Sequence, residues 1–80
     1  MAPNSKLSEA VRRDPEVLSG ELCFAGTRVP VKNLFDHLAH GHSLDEFFDG
    51  FPRVTREQVE VVLAASYDEL AERIPPVRAA

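Results

Sequence analysis

The 80-residue chain has no tryptophan, one tyrosine, one methionine and a single cysteine, Cys23. One thiol rules out an intramolecular disulfide and suits a reducing compartment. Glycine is scarce, and neither Gly20 nor Gly26 is followed by the Lys-Ser/Thr pair of a phosphate-cradling loop. No apolar run approaches the roughly 20 residues of a membrane span. Met1 to Lys6 is polar and lacks the apolar core of a signal peptide. These absences predict a cytoplasmic protein without a membrane anchor. Basic residues are outnumbered, nine Lys and Arg against thirteen Asp and Glu, for a net charge of −4. That balance counts against strong unaided nucleic-acid binding, which draws on Lys and Arg at phosphates, but it leaves room for a local basic patch.

The chain is 44% hydrophobic and 28% charged, a globular composition. A domain this short buries only about 60–65% of the surface its unfolded form exposes. With no disulfide available, association is the remaining source of stability, and a homodimer is expected. An unpaired strand segment around residues 16–29 gives a second motive, because a bare strand edge needs covering. The expected organisation is a flexible N-terminal arm over 1–8, one domain over 9–74 and a short tail over 75–80.

Within 9–29, Val11, Val17-Leu18, Leu22-Cys23-Phe24 and Val29 mark one or two short strands. The Asp14-Pro15 pair signals a turn, since the residue before proline avoids the helical region. From Val31 the apolar period becomes 3.6. Val31, Leu34, Phe35, Leu38 and Ala39 form one stripe, Pro30 stands at or before the first turn, and Gly41 follows as the C′ residue. The predicted helix is 31–40. A second helix opens with Ser43-Leu44-Asp45-Glu46, a capping box, carries Leu44, Phe47 and Phe48, and ends at Gly50. A third opens with Thr55-Arg56-Glu57-Gln58, runs over about 56–73 on Val59, Val62, Leu63, Ser66 and Leu70, and stops at Pro75-Pro76. The predicted fold is therefore mainly α, a three-helix helix-turn-helix core preceded by a short β-strand or hairpin segment.

A short helix, a tight turn and a longer helix are the parts of a helix-turn-helix, in which the first helix braces the second and the second offers its first turn to a major groove. Arg53, Thr55 and Arg56 lie at that first turn and are the candidate DNA contacts. The same layout also describes protein-binding bundles, and Glu57 and Glu60 beside Arg56 would repel DNA. Both alternatives stay open on this pattern.

Other polar groups carry less. His37, His40 and His42 fall within six residues, but no cysteine or carboxylate completes a ligand set, so no metal and no other cofactor is expected. Asp36, Asp45, Glu46 and Asp49 fall mostly on solvated faces, and no catalytic activity is expected. Cys23, between Leu22 and Phe24, suits a buried small hydrophobe better than a reactive thiol.

The ordered set Asp14-Pro15, Gly26-Thr27-Arg28-Val29-Pro30-Val31, Gly41-His42-Ser43 and Phe51-Pro52-Arg53-Val54-Thr55 resembles the domain-of-unknown-function 433 family over about residues 9–67. Ser19 departs from it where a glycine usually precedes Gly20, and Leu22-Cys23-Phe24 replaces a proline followed by a β-branched pair. The resemblance implies short strands before a helix-turn-helix. It further implies a VapB-type antitoxin encoded beside a PIN-like ribonuclease toxin, covering that enzyme's acidic, metal-binding active site and repressing its own operon as a dimer on operator DNA. The alternative is a protein-interaction module with the same shape and no DNA binding. Gly26, Thr27, Arg28 and Pro30 form the structural motif of the resemblance. Gly26 can adopt positive φ, the Thr27 hydroxyl can hold a local backbone group, and Arg28 is expected, through its five donors, to staple strands to helices, with a direct partner contact as the alternative.

Overall fold

The structure is a computed structural model that describes residues 5–77. Its elements in chain order are helix α1 (Ser5–Ala10), strands β1 (Val11–Arg13) and β2 (Leu22–Phe24), and helices α2 (Val31–Ala39), α3 (Leu44–Gly50) and α4 (Arg56–Arg73). The fold is mainly helical, with a three-helix helix-turn-helix core that follows a two-stranded antiparallel hairpin. Val11 pairs with Phe24, Arg12 with Cys23 and Arg13 with Leu22.

Helix α1 corrects the expectation of a flexible arm over 1–8; residues 1–4 and 78–80, the remainder of the expected arm and half of the expected tail, lie outside the described residues. Six residues cannot hold a helix in water by local bonding alone. This one forms because it packs on α4, burying Ala10 and half-burying Leu7. The stabilising contact is tertiary and leaves almost no local pattern.

The link between the strands is built by its polar residues. Asp14 accepts from the backbone N–H of Glu16 with its carboxylate at 2.9 Å and from Val17 N–H with its carbonyl at 2.8 Å, the turn that Asp14-Pro15 signals. Leu18, Ser19 and Gly20 then run through positive φ, at 49°, 56° and 86°. Arg13 Nη1 donates to the Gly20 carbonyl at 3.0 Å and closes the loop.

Each core helix is terminated by local chemistry. Gly41, at φ 85°, ends α2, with its N–H on Leu38 O and that of His42 on His37 O, both at 3.1 Å, a Schellman closure. At α3, Ser43 Oγ accepts from Glu46 N–H at 3.1 Å while a Glu46 carboxylate oxygen accepts from Ser43 N–H at 2.9 Å. These bonds, together with the His42 ring, hold the Glu46 carboxyl below the usual carboxylate range. Thr55 and Gln58 repeat the box at α4, at 3.1 and 2.9 Å.

Phe24, Val31, Leu34, Phe47, Val54, Val59 and Val62 form one buried cluster, so every core element and the hairpin contribute to it. Two expected stripes turn out of the core before they end. Phe35 and Leu38 on α2 are exposed, and Leu70 on α4 is 62% exposed. The buried residues of α2, Val31 and Leu34, and those of α4, Val59 and Val62, all fall in the first half of their helix. The last core contact of α4 falls near Ser66, whose hydroxyl turns back to Val62 O at 2.8 Å.

Gln58 joins the two halves of the fold. Its amide oxygen completes the α4 capping box, and its Nε2 donates to Ala25 O at 2.9 Å and Ala10 O at 3.4 Å. Gln58→Glu keeps the shape, removes both donors and sets a carboxylate against two carbonyls. Urea unfolding at neutral pH is expected to show a loss of about 1–3 kcal/mol. The deficit narrows toward pH ~4, where a protonated carboxyl again carries a donor; a loss independent of pH would contradict this clamp. Ser19→Gly relieves a left-handed non-glycine residue, and a gain of about 0.5–1 kcal/mol in the same assay is expected.

Candidate functional site

Two loops face each other across a cleft of about 730 Å³. The first is the Gly26–Pro30 segment. Thr27 N–H and Thr27 Oγ1 both donate to Phe24 O, at 3.1 and 2.8 Å, and Oγ1 accepts from Val29 N–H at 3.1 Å. Gly26 sits at φ 76°, which a side chain rarely tolerates. Gly26 and Thr27 thus close the turn as their chemistry predicts, while Pro30 bridges back to Cys23 and stands as the N-cap of α2.

The second loop is Phe51–Val54, closed by Val54 N–H on Phe51 O at 3.1 Å. It is the turn of the helix-turn-helix. Phe51 packs at 4.9 Å on the Phe47 ring and carries the loop against the core.

Between the loops, Cys23, Phe24, Val29 and Phe51 give the cleft an apolar floor, and Arg12, Arg28 and Arg53 stand along its rim with Asp14. The three arginines are exposed and make no hydrogen bond or ion pair with side chains of the described residues. For Arg28 this corrects the expected staple between strands and helices: after the Thr27-closed turn the residue is exposed, without an ion pair among the described residues. Cys23 is 3% exposed. Burial pushes its thiol up, Glu21 adds to the shift and Arg28 opposes it, so the group stays protonated at neutral pH.

The fold therefore divides the candidate DNA contacts. Arg53 joins the cleft rim. Thr55 spends its hydroxyl on the α4 cap. Arg56 lies along α3, its guanidinium carbon 4.9 Å from the Phe48 ring centroid and Nη2 3.4 Å from Asp45 Oδ1. It braces the two helices of the motif, while Glu57 and Glu60 stand exposed on the same stretch of α4.

The histidines serve local structure. His40 Nδ1 contacts Asp36 O at 2.7 Å, His42 Nδ1 contacts Glu46 Oε2 at 3.4 Å, and His37 packs edge-on to Phe47. No three His, Cys, Asp or Glu converge as a metal set among the described residues. Nor is any described helix long and apolar enough to cross a membrane.

Residues 11–65, from the first strand through about the first half of α4, match the family described as "Protein of unknown function (DUF433)". The chain belongs to the DUF433 family. The match takes in both cleft loops. A crystal structure of a DUF433 member from Anabaena variabilis superposes with a TM-score of 0.66 at 24% identity, over 85% of this chain and 66% of that one, a likeness of fold. The uncharacterized protein y4eO of Sinorhizobium fredii is 34% identical over 61 residues. That alignment covers 76% of this chain and 27% of the relative, so the chain spans about a quarter of that relative's length.

The sequence pattern missed the joining of Arg12, Arg28 and Arg53, which lie far apart in the chain, and the second use of Gln58. The division of roles at the α4 terminus is testable. Thr55→Ala is expected to lower stability by about 1 kcal/mol through the lost cap, and Arg56→Ala by about 0.5–1 kcal/mol through the lost ring contact and exposed ion pair. A Thr55→Ala urea midpoint equal to wild type would refute the capping role.

Proposed function

We propose that this DUF433 chain is the antitoxin of a type II toxin–antitoxin pair, acts in the cytoplasm without catalysis of its own, and neutralises a PIN-like ribonuclease by presenting the arginine-rimmed cleft to it. One observation carries the proposal: three guanidiniums with no ion pair among the described residues line one apolar-floored cleft beside a single carboxylate, Asp14, on a chain of net charge −4. A nuclease active site that binds divalent metal is a cluster of carboxylates. Guanidiniums match carboxylates in fork geometry, and an apolar floor supplies burial at the centre of a contact with a polar rim.

Repression of the operon belongs to the α3–α4 unit, with Arg53 and Arg56 as its cations. A protein-interaction module that binds no DNA is the second reading. It is favoured by Glu57 and Glu60 at the same turn and by the engagement of Arg56 with Phe48 and Asp45.

The decisive experiment identifies the reading frame beside this one, which the proposal requires to encode a PIN-like ribonuclease, and pairs the two purified proteins. RNA cleavage is expected to fall in proportion to added wild-type chain. Arg28→Glu with Arg53→Glu is expected to raise the inhibitory concentration at least ~10-fold, since losing close charge pairs at an interface costs roughly 2 kcal/mol or more, with an unchanged circular dichroism spectrum. Wild type that neither binds nor inhibits the enzyme would end the antitoxin proposal. A titration with the chain's own promoter separates the two readings: salt-sensitive binding supports repression, and its absence leaves the interaction module.

A further inference from the structure

The cleft has the dimensions of a site for a small molecule. Its volume of about 730 Å³ falls within the roughly 300–1,000 Å³ of such sites. Its two walls are short turns, each closed by its own hydrogen bonds, so little ordering is left for a ligand to impose. Half-buried Val17, Val29 and Phe51 supply apolar surface inside it.

The charges decide what kind of molecule fits. The hairpin register sets Arg12 directly opposite Cys23, which puts both side chains on one face of the hairpin. Arg28 acts on the same residue from the turn after β2, since its positive charge opposes the upward shift of the Cys23 thiol. Two guanidiniums from different segments thus lie near one buried, neutral thiol, and Arg53 joins them from the opposite loop. Against these three, the lining residues offer one carboxylate, Asp14, and one of its oxygens already accepts from Glu16 N–H at 2.9 Å. Glu21 also acts on the thiol but does not line the cleft. The lining therefore carries two positive charges in excess. An inorganic dianion would match them and leave the apolar surface wet. An uncharged apolar molecule would cover that surface and displace water from guanidiniums it cannot pair.

We infer that the cleft binds a small organic dianion, a phosphate monoester or a dicarboxylate carried on an apolar body, with its charged head on the arginines and its body against Val17, Val29 and Phe51. A phosphate monoester carries close to two negative charges at neutral pH, and both it and a carboxylate accept the paired donors of a guanidinium fork. This site shares the cleft with the antitoxin reading but does not depend on it. Where both hold, ligand and enzyme compete for Arg28 and Arg53, and the ligand releases the enzyme.

Calorimetric titration of the full chain, with no enzyme present, tests the site. The probes are 2-naphthyl phosphate and phenylsuccinate, and the preference between them tells a phosphate site from a dicarboxylate site. At least one is expected to bind with a dissociation constant below ~1 mM. The controls 2-naphthol and inorganic phosphate each lack one half of the chemistry and are expected to bind at least ~10-fold more weakly. Arg28→Gln and Arg53→Gln, both at exposed positions, are each expected to raise the dissociation constant of the bound probe ~10-fold with an unchanged circular dichroism spectrum. Arg73→Gln removes the same charge from the far end of α4 and is expected to leave that constant within about twofold. Binding of neither probe, a control that binds as tightly as the probes, or equal effects of Arg28→Gln and Arg73→Gln would overturn the site. A chain that inhibits the ribonuclease yet binds neither probe would overturn the ligand site alone.

Discussion

The fold turns on one amide. Gln58 is the last residue of the α4 capping box, yet its side chain does more than cap, because its nitrogen holds the carbonyls of Ala25 and Ala10. Ala25 follows β2 and Ala10 precedes β1, so a single side chain fixes both ends of the hairpin to the start of the longest helix. At neutral pH an amide can do this where a carboxylate cannot, since the cap needs an acceptor and the two carbonyls need a donor. With the hairpin pinned there, the turn after β2 comes to face the turn between α3 and α4. The cleft exists between those two turns. Its arginines belong to loops that are each rigid by their own bonds, Thr27 in one and the Phe51–Val54 closure in the other.

What could be foreseen followed from how local its cause is. Capping boxes at Ser43 and Thr55, the Gly41 stop and the Asp14-Pro15 turn are chemistry among neighbours, and each is legible in four or five residues. Helix α1 was not, because its stability comes from α4 nearly fifty positions away. The stripes of α2 and α4 were legible as stripes but not as buried ones. Periodicity reports that Leu38 and Leu70 share a face with core residues; it does not report where the body of the protein ends. Arg28 failed for a related reason: five donors give the capacity to staple, but only the surrounding carboxylates decide whether stapling occurs.

Net charge misleads here in the same way. The chain is acidic, which argues against anionic partners, but most of its carboxylates are distributed over helices, while Arg12, Arg28 and Arg53 line one cleft beside a single carboxylate, Asp14. A partner feels the local field within about one Debye length, roughly 8–10 Å, rather than the sum. The sequence signal that a cleft of this kind was present is therefore the pair of tight turns, each followed or ended by an arginine, and not the composition.

No residue of the second half of α4 lines the cleft, which is made by the hairpin and the α3–α4 turn. Whatever engages the cleft therefore acts on the two elements that Gln58 and Phe51 hold against the rest of the fold. The core they border is small. A cluster of seven buried residues supports a marginal domain, and binding that occurs only in the folded state shifts that equilibrium by mass action. Occupation of the cleft and folding of the core would thereby be linked, because Phe24 belongs to both.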